Sequence, residues 1–312
     1  MCSLISSMVD SIVAWIRGWS SKWLSFGGRL VLIKSVLLSL PVYLLSVMNP
    51  AKGVICNIHR GLGNFLWGSA DGKERRRHWM AWSHLCQPKE AGGLALRSLH
   101  TQVQAFSCKL WWRFRQGGSL WADFMQTRYC SSAHPNQVQL KPSASATWKR
   151  MLQARALVEL HAVWDLRSGQ VLFWWDNWLG VGPLAWQLPQ SAGMEVVSDY
   201  WAEGGWDLGK LPRILPVEML ERIGSKFFCW KEGSNDELSW SATQSGRFTV
   251  SSAAELLRSD AGVSWVFKHV WVAGLLIRFS CLVWRLLHYN LPVADVLAKL
   301  TVRGPSRCYF CS

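Results

Sequence analysis

The residues that could do chemistry are sparse. Cys308 and Cys311 stand three apart in RCYFCS, residues 307–312. That spacing is half of a structural zinc site, because a tetrahedral ion needs four ligands and a C-x-x-C knuckle supplies two. His288, twenty residues upstream, is the nearest further ligand. It ends an amphipathic stretch, where a histidine also serves the helix dipole and the last carbonyls. The metal reading is therefore Cys308 and Cys311 as an incomplete site. Zinc is the one cofactor indicated, with less than one tightly held ion expected per chain.

Other chemistries find little to stand on. GGWDLGKL (204–211) has the outline of a phosphate-cradling loop in Gly204, Gly209 and Lys210. The next residue is Leu211 where a magnesium ligand needs a hydroxyl, and no apolar strand leads into it, so no nucleotide cofactor is expected. Two-metal polymerase or nuclease chemistry needs clustered carboxylates. The chain has no Asp-Asp pair, and Asp165 and Asp176 sit in aromatic surroundings. Its eight histidines include no H-E-x-x-H. The chain is expected not to be an enzyme.

Charge points elsewhere. The net charge is +14, and residues 51–160 hold sixteen Lys/Arg against five Asp/Glu, a local excess of +11. Residues 161–312 balance fourteen against fourteen. A basic half beside a neutral half is how a polyanion-binding surface is built. The cations expected to meet phosphates are Lys73, Arg75, Arg76, Arg77, Lys89, Arg97, Lys109 and Arg113. There are 22 tryptophans, so many that some are expected to stack on unpaired bases rather than fill a core: Trp79, Trp82, Trp111 and Trp112. RNA or DNA is the expected partner. The run 31–48 is apolar but broken by Lys34 and Pro41, so no membrane span is expected. No secretory signal is evident and the nine cysteines are scattered. The expected setting is intracellular and reducing, nuclear or cytoplasmic, and not secreted.

The elements that must position these residues are mostly helical. Residues 11–48 read as helix with a break at Gly27-Gly28, and 54–67 as a second helix. Residues 69–79 form a polar loop, and 99–115 a helix with Lys109 and Arg113 four apart on its flank. GQVLFWWDNWLG (169–180) reads as strand and turn. Residues 238–258 read as a strand pair and then a helix, started by a Ser252/Glu255 capping box. Helices at 275–288 and 293–300 follow. The fold class is α+β, mainly α-helical, with short antiparallel strands or hairpins in the second half.

Several of these blocks together resemble a known family. KWLSFGGRLVLIKSVLLSLPVYLLSVM, RRHWMAWSHLCQPKEAGGLALRSL, AFSCKLWWRF and FWWDNWLG look like the post-palm region of reverse transcriptases from non-LTR (LINE-type) retrotransposons of plants. SGRFTVSSAAELLR and FSCLVWRLLHYNLPVADVLAKLTVRGPSRCYFC are similar to the zinc-binding domain that ends those polyproteins. The resemblance implies a helical, thumb-like region at 1–100 and a basic Trp-rich helical region at 101–165. An aromatic connector at 166–240 and a zinc-binding domain from 241 follow, truncated after its first Cys-x-x-Cys. It implies that a histidine and a cysteine beyond residue 312 would close the zinc site. It also implies that the palm and endonuclease lie upstream in a parent polyprotein, whose domains would be further partners. The expected function is a nucleic-acid-binding remnant without polymerase activity of its own; the alternative is a pseudogene-like fragment without independent activity.

Overall fold

The computed structural model describes Asp10, Ala14 and residues 24–68, 78–131, 133–188, 193–202, 205–207, 209–211, 215–226, 234–258, 262–272 and 274–291. The chain divides into two compact units, one of residues 1–102 with 258–312, the other of residues 103–257. Among the described residues the structure is mainly helical, with two small antiparallel two-stranded sheets.

In the first unit the helix expected over 11–48 is interrupted, but not at Gly27-Gly28: both glycines lie within the first turn of a helix, and the interruptions come further along. Ser25 Oγ accepts the Gly28 N–H and starts a helix at Phe26–Leu32. A π-turn at Ile33–Leu37 follows, and Pro41, which cannot continue the ladder, caps a new short helix at Val42–Val47. The Lys52–Leu66 helix buries Ile55, Ile58, Leu62, Phe65 and Leu66, the three- and four-residue repeat of one face. Trp265–Val270 and Ile277–Leu287 complete the unit from the far end of the chain.

The loop that receives those C-terminal helices explains a glycine pair. Trp284 is fully buried, and its indole N–H donates to Gly92 O at 2.7 Å; His288 Nε2 donates to the same oxygen at 2.8 Å. Gly92 has φ +86°, and a Cβ there would lie 2.8 Å from the Phe267 ring. A Cβ on Gly93 would lie 2.1 Å from Gln87 O. Only glycine meets both demands.

In the second unit, Leu99–Gln116 (whose first turn is counted with the first unit), Leu120–Tyr129 and Ala146–His161 surround one core. Trp111, Trp148 and Trp240 are fully buried in it. The Trp112 ring stacks on Phe248 at 5.6 Å and meets Trp240 edge-on. A second cluster gathers Phe173, Trp174, Trp178, Leu184, Val197, Tyr200 and Ile223.

Three local expectations change here. The GQVLFWWDNWLG segment (169–180) forms no strand beyond one isolated bridge, Leu172 to Val196; the rest is turn and loop, with Phe173, Trp174 and Trp178 in the second cluster. The strand Glu237–Trp240 does not pair with the residues just after it; it pairs antiparallel with Ala162–Asp165, Ala162 opposite Trp240. The helix after it starts at Val250, because Thr249 Oγ1 accepts the Ser252 N–H at 3.0 Å. Ser252, the expected cap, instead accepts the Trp240 indole N–H at 2.9 Å.

Candidate nucleic-acid interface

The sequence-predicted residues separate into exposed cations and buried rings. On the Leu99–Gln116 helix, Lys109 and Arg113 are exposed one turn apart. Trp111 and Trp112 lie between them in sequence, 0% and 5% exposed. A rotation of about 100° per residue keeps Lys109 and Arg113 together and sets Trp111 opposite them, while Trp112, at the edge of their face, is covered by Trp240 and Phe248. Trp111 and Trp112 are therefore core residues with no ring face for a base, which corrects the expectation of stacking. Trp111 is fixed further by its indole N–H, which donates to Glu159 Oε1 at 2.7 Å.

In the first unit Arg97 is exposed. Lys89 is half-buried, its Nζ 4.7 Å above the Trp271 ring, so part of its charge already faces an aromatic. Trp79 and Trp82 are half-buried, and Trp82 stacks on His59 at 5.3 Å, which covers part of the ring. Lys73, Arg75, Arg76 and Arg77 lie outside the described residues, as do Cys308 and Cys311.

Among the described residues no three metal-ligating side chains converge. His288 spends one ring nitrogen on Gly92 O and lies flat against Phe267 at 4.7 Å. Burial lowers its pKa most, against the Gly92 bond, which raises it. The described residues therefore do not make up a zinc site.

The sequence missed a buried ionic network in the second unit. Arg115 donates from Nε to Glu159 Oε1 at 2.7 Å and from its terminal nitrogen to Asp176 Oδ1. Burial alone would lower the Arg115 pKa, but Glu159 and Asp176 outweigh it and hold it above its ordinary range. For Asp176 burial acts upward, and Arg115 and His134 together hold the carboxyl well below the usual range. His134 Nδ1 accepts the Asn136 N–H at 3.2 Å, and Nε2 lies 3.2 Å from Asp176 Oδ1. Its pKa is lowered, burial outweighing the pull of Asp176. Both imidazole nitrogens are occupied, so this histidine-aspartate pair has neither a lone pair nor a proton to offer a substrate. The network instead ties the 172–177 turn to the helices: Asn177 Nδ2 donates to Glu159 O at 2.8 Å, and its Oδ1 accepts the N–H groups of Gly180 and Gly182. The signal was absent from local sequence because Arg115, Glu159 and Asp176 are spread over 61 residues.

Residues 248–312 match the family model described as zinc-binding in reverse transcriptase. The chain carries a reverse-transcriptase-related region. It is 30% identical over 291 residues to a protein of Arabidopsis thaliana named "Putative ribonuclease H protein", a match that covers 89% of this chain and 47% of that one. It is 27% identical over 145 residues to an "Uncharacterized mitochondrial protein" of the same plant, covering 46% of this chain and 94% of that one. The chain thus spans about half the length of the first relative. The matched segment 248–312 crosses the division between the two units, which falls at residue 257. No helix among the described residues is long and apolar enough to cross a membrane.

Proposed function

We propose that this chain is a nucleic-acid-binding segment of a non-LTR retrotransposon reverse transcriptase, which grips RNA or DNA by its backbone and carries no polymerase chemistry of its own. One observation carries the reading. Among the described residues of 51–160, Lys52, Arg60, Arg97, Lys109, Arg113, Arg128 and Lys141 are exposed, against the exposed acids Glu90 and Asp123. Phosphate contacts position a protein on nucleic acid and dominate its affinity. The lack of polymerase chemistry is supported by where the carboxylates go: Glu159 and Asp176, which share Arg115, are buried and ion-paired rather than open to divalent metal.

The test is binding of the purified chain to single-stranded RNA and to duplex DNA across a salt series, beside a variant with Arg75, Arg76 and Arg77 changed to alanine. Log affinity should fall linearly with log salt, and the variant's slope should be shallower by about 2 to 3. No binding at low salt by a folded sample would overturn the reading. Metal-dependent extension of a primed template would overturn the second half of it.

One observation favours a second reading, a segment without independent activity. The Ile277–Leu287 helix leaves Phe279, Leu282, Val283 and Leu286 exposed, an apolar face of the sort that packs on another polypeptide surface. Self-association and the lack of a cooperative melt would select this reading over the first.

A further inference from the structure

A cleft of 260 Å³ in the second unit lies beside the end of the Leu120–Tyr129 helix and the loop leading into Ala146–His161. Its lining combines two exposed cations, Arg128 and Lys141, with the Tyr129 ring and the apolar edge of Val138. No carboxylate lines it, and among the described residues neither cation is ion-paired.

The cleft is held in shape by its own bonds. The Tyr129 ring lies parallel to Trp148 with centroids 4.5 Å apart and planes 4° from parallel. Its hydroxyl lies 3.0 Å from Ser145 Oγ and accepts the Ser145 N–H at 3.3 Å. Lys149 Nζ donates to Pro142 O at 2.9 Å, and the Ala144 N–H donates to Lys141 O at 3.1 Å, so the loop bearing Lys141 is tied down from both sides. A preformed wall costs little ordering on binding.

We infer that this cleft takes one nucleotide of a single-stranded RNA or DNA, its phosphate between Arg128 and Lys141 and its base against the Tyr129 side of the cleft. The inference rests on the nucleic-acid reading above and adds a place and a ligand to it. The Tyr129 ring already meets Trp148 and, at 5.7 Å, the Arg128 guanidinium, so it fixes that cation in the cleft; a bare oxyanion would use the cations and leave the apolar edge at Val138 and Ala144 without a partner. A nucleotide joins an anion to a flat ring and uses both, in the manner of single-strand-binding grooves. The volume admits one such unit and is below the range, about 300–1,000 Å³, of pockets that enclose larger ligands.

The experiment uses the full chain with fluorescein-labelled octamers of uridylate and of thymidylate, over 0.05–1 M salt at the order-of-magnitude sensitivity of counterion release. The variant is R128A/K141A, whose changes are at exposed side chains and whose folding is checked by near-ultraviolet dichroism. With the one phosphate held between the two cations no longer neutralised, the slope on a single strand should be shallower by about 0.7, so that binding is about 5-fold weaker than wild type at 0.1 M and converges with it near 1 M. An octamer carrying 4-thiouridine should crosslink within residues 128–148 in the wild type and not in the variant. Uridine monophosphate should displace the octamer at concentrations where inorganic phosphate does not.

Wild-type binding that the variant retains in full, with crosslinks elsewhere, overturns this cleft and leaves the nucleic-acid reading standing. Equal displacement by inorganic phosphate overturns the nucleotide assignment. No octamer binding by the wild type at low salt overturns the nucleic-acid reading and this inference with it.

Discussion

Replacing Asp236 with asparagine should unravel a loop more than 60 residues away in sequence. The Asp236 carboxylate accepts five successive backbone N–H groups: Arg167, Ser168 and Gly169 on Oδ1 at 2.6, 2.9 and 3.0 Å, Gln170 and Val171 on Oδ2 at 2.7 and 3.3 Å. Burial pushes this carboxyl up, but the N–H groups of Arg167, Gly169, Ser168 and Gln170 outweigh it and hold it below the usual range. Asparagine keeps one oxygen for the first three donors and turns an NH₂ toward Gln170 and Val171, donor against donor. Arg167, Ser168 and Gln170 are open enough for water to replace a lost bond; Gly169 and Val171 are buried. One or two buried unsatisfied groups at roughly 1–3 kcal/mol each give a cost of about 3 kcal/mol, a large part of a typical stability of about 5–15. Because the folded pKa is depressed, the wild-type advantage should be complete above about pH 4 and vanish as pH falls through the folded value. Urea unfolding at pH 7 and pH 3 measures the difference, and amide exchange at residues 167–171 localises it. A D236N protein within about 0.5 kcal/mol of wild type at pH 7, with those amides still protected, would refute the account.

Further outcomes follow from single contacts. Gly93→Ala should cost about 3 kcal/mol in the first unit, because its Cβ would lie 2.1 Å from Gln87 O and backbone, not a flexible side chain, must give way; thermal melting reads it. Glu159→Gln should cost about 3–5 kcal/mol, since Arg115 keeps one buried carboxylate and the new NH₂ must face Trp111 and Arg115 on Oε1 or Asn136 on Oε2, donors all. Its Trp fluorescence should shift with the Trp111 environment, and a change under about 1 kcal/mol would count against the network. His59 is half-buried, and that burial, with His100 nearby, lowers its pKa to about 4, while its Nε2 accepts the Leu99 N–H at 3.3 Å. The unfolded ring titrates near 6.5, so the contribution is complete above that value and is lost as pH falls toward 4. With allowance for solvent screening it amounts to about 2 kcal/mol, and H59Q should flatten the fall in Tm between pH 7 and pH 4.5.

Read alone, the sequence determined whatever depends on local order. Periodicity located the Leu99–Gln116 helix to within a residue and Ile277–Leu287 to within two, because an apolar repeat and a stop signal are written into neighbouring positions. The basic excess of 51–160 and the reverse-transcriptase resemblance at the C-terminal end were equally legible, the latter matched over 248–312. Tertiary structure decided which sides of those elements are covered. Lys109 and Arg113 face water while Trp111 and Trp112 face Trp148, Trp240 and Phe248, a choice made by elements 37 to 136 residues further along. The sequence shows two adjacent glycines at 92 and 93 but not why they are needed, which comes from Gln87 O and Phe267. Asp176, which has no role legible in the sequence, is claimed by Arg115 and His134 in the interior. A side chain's direction about its own helix is a local property, but its partners are not. Burial makes a carboxylate costly unless donors meet it, and those donors are supplied by whichever distant segments the fold brings together.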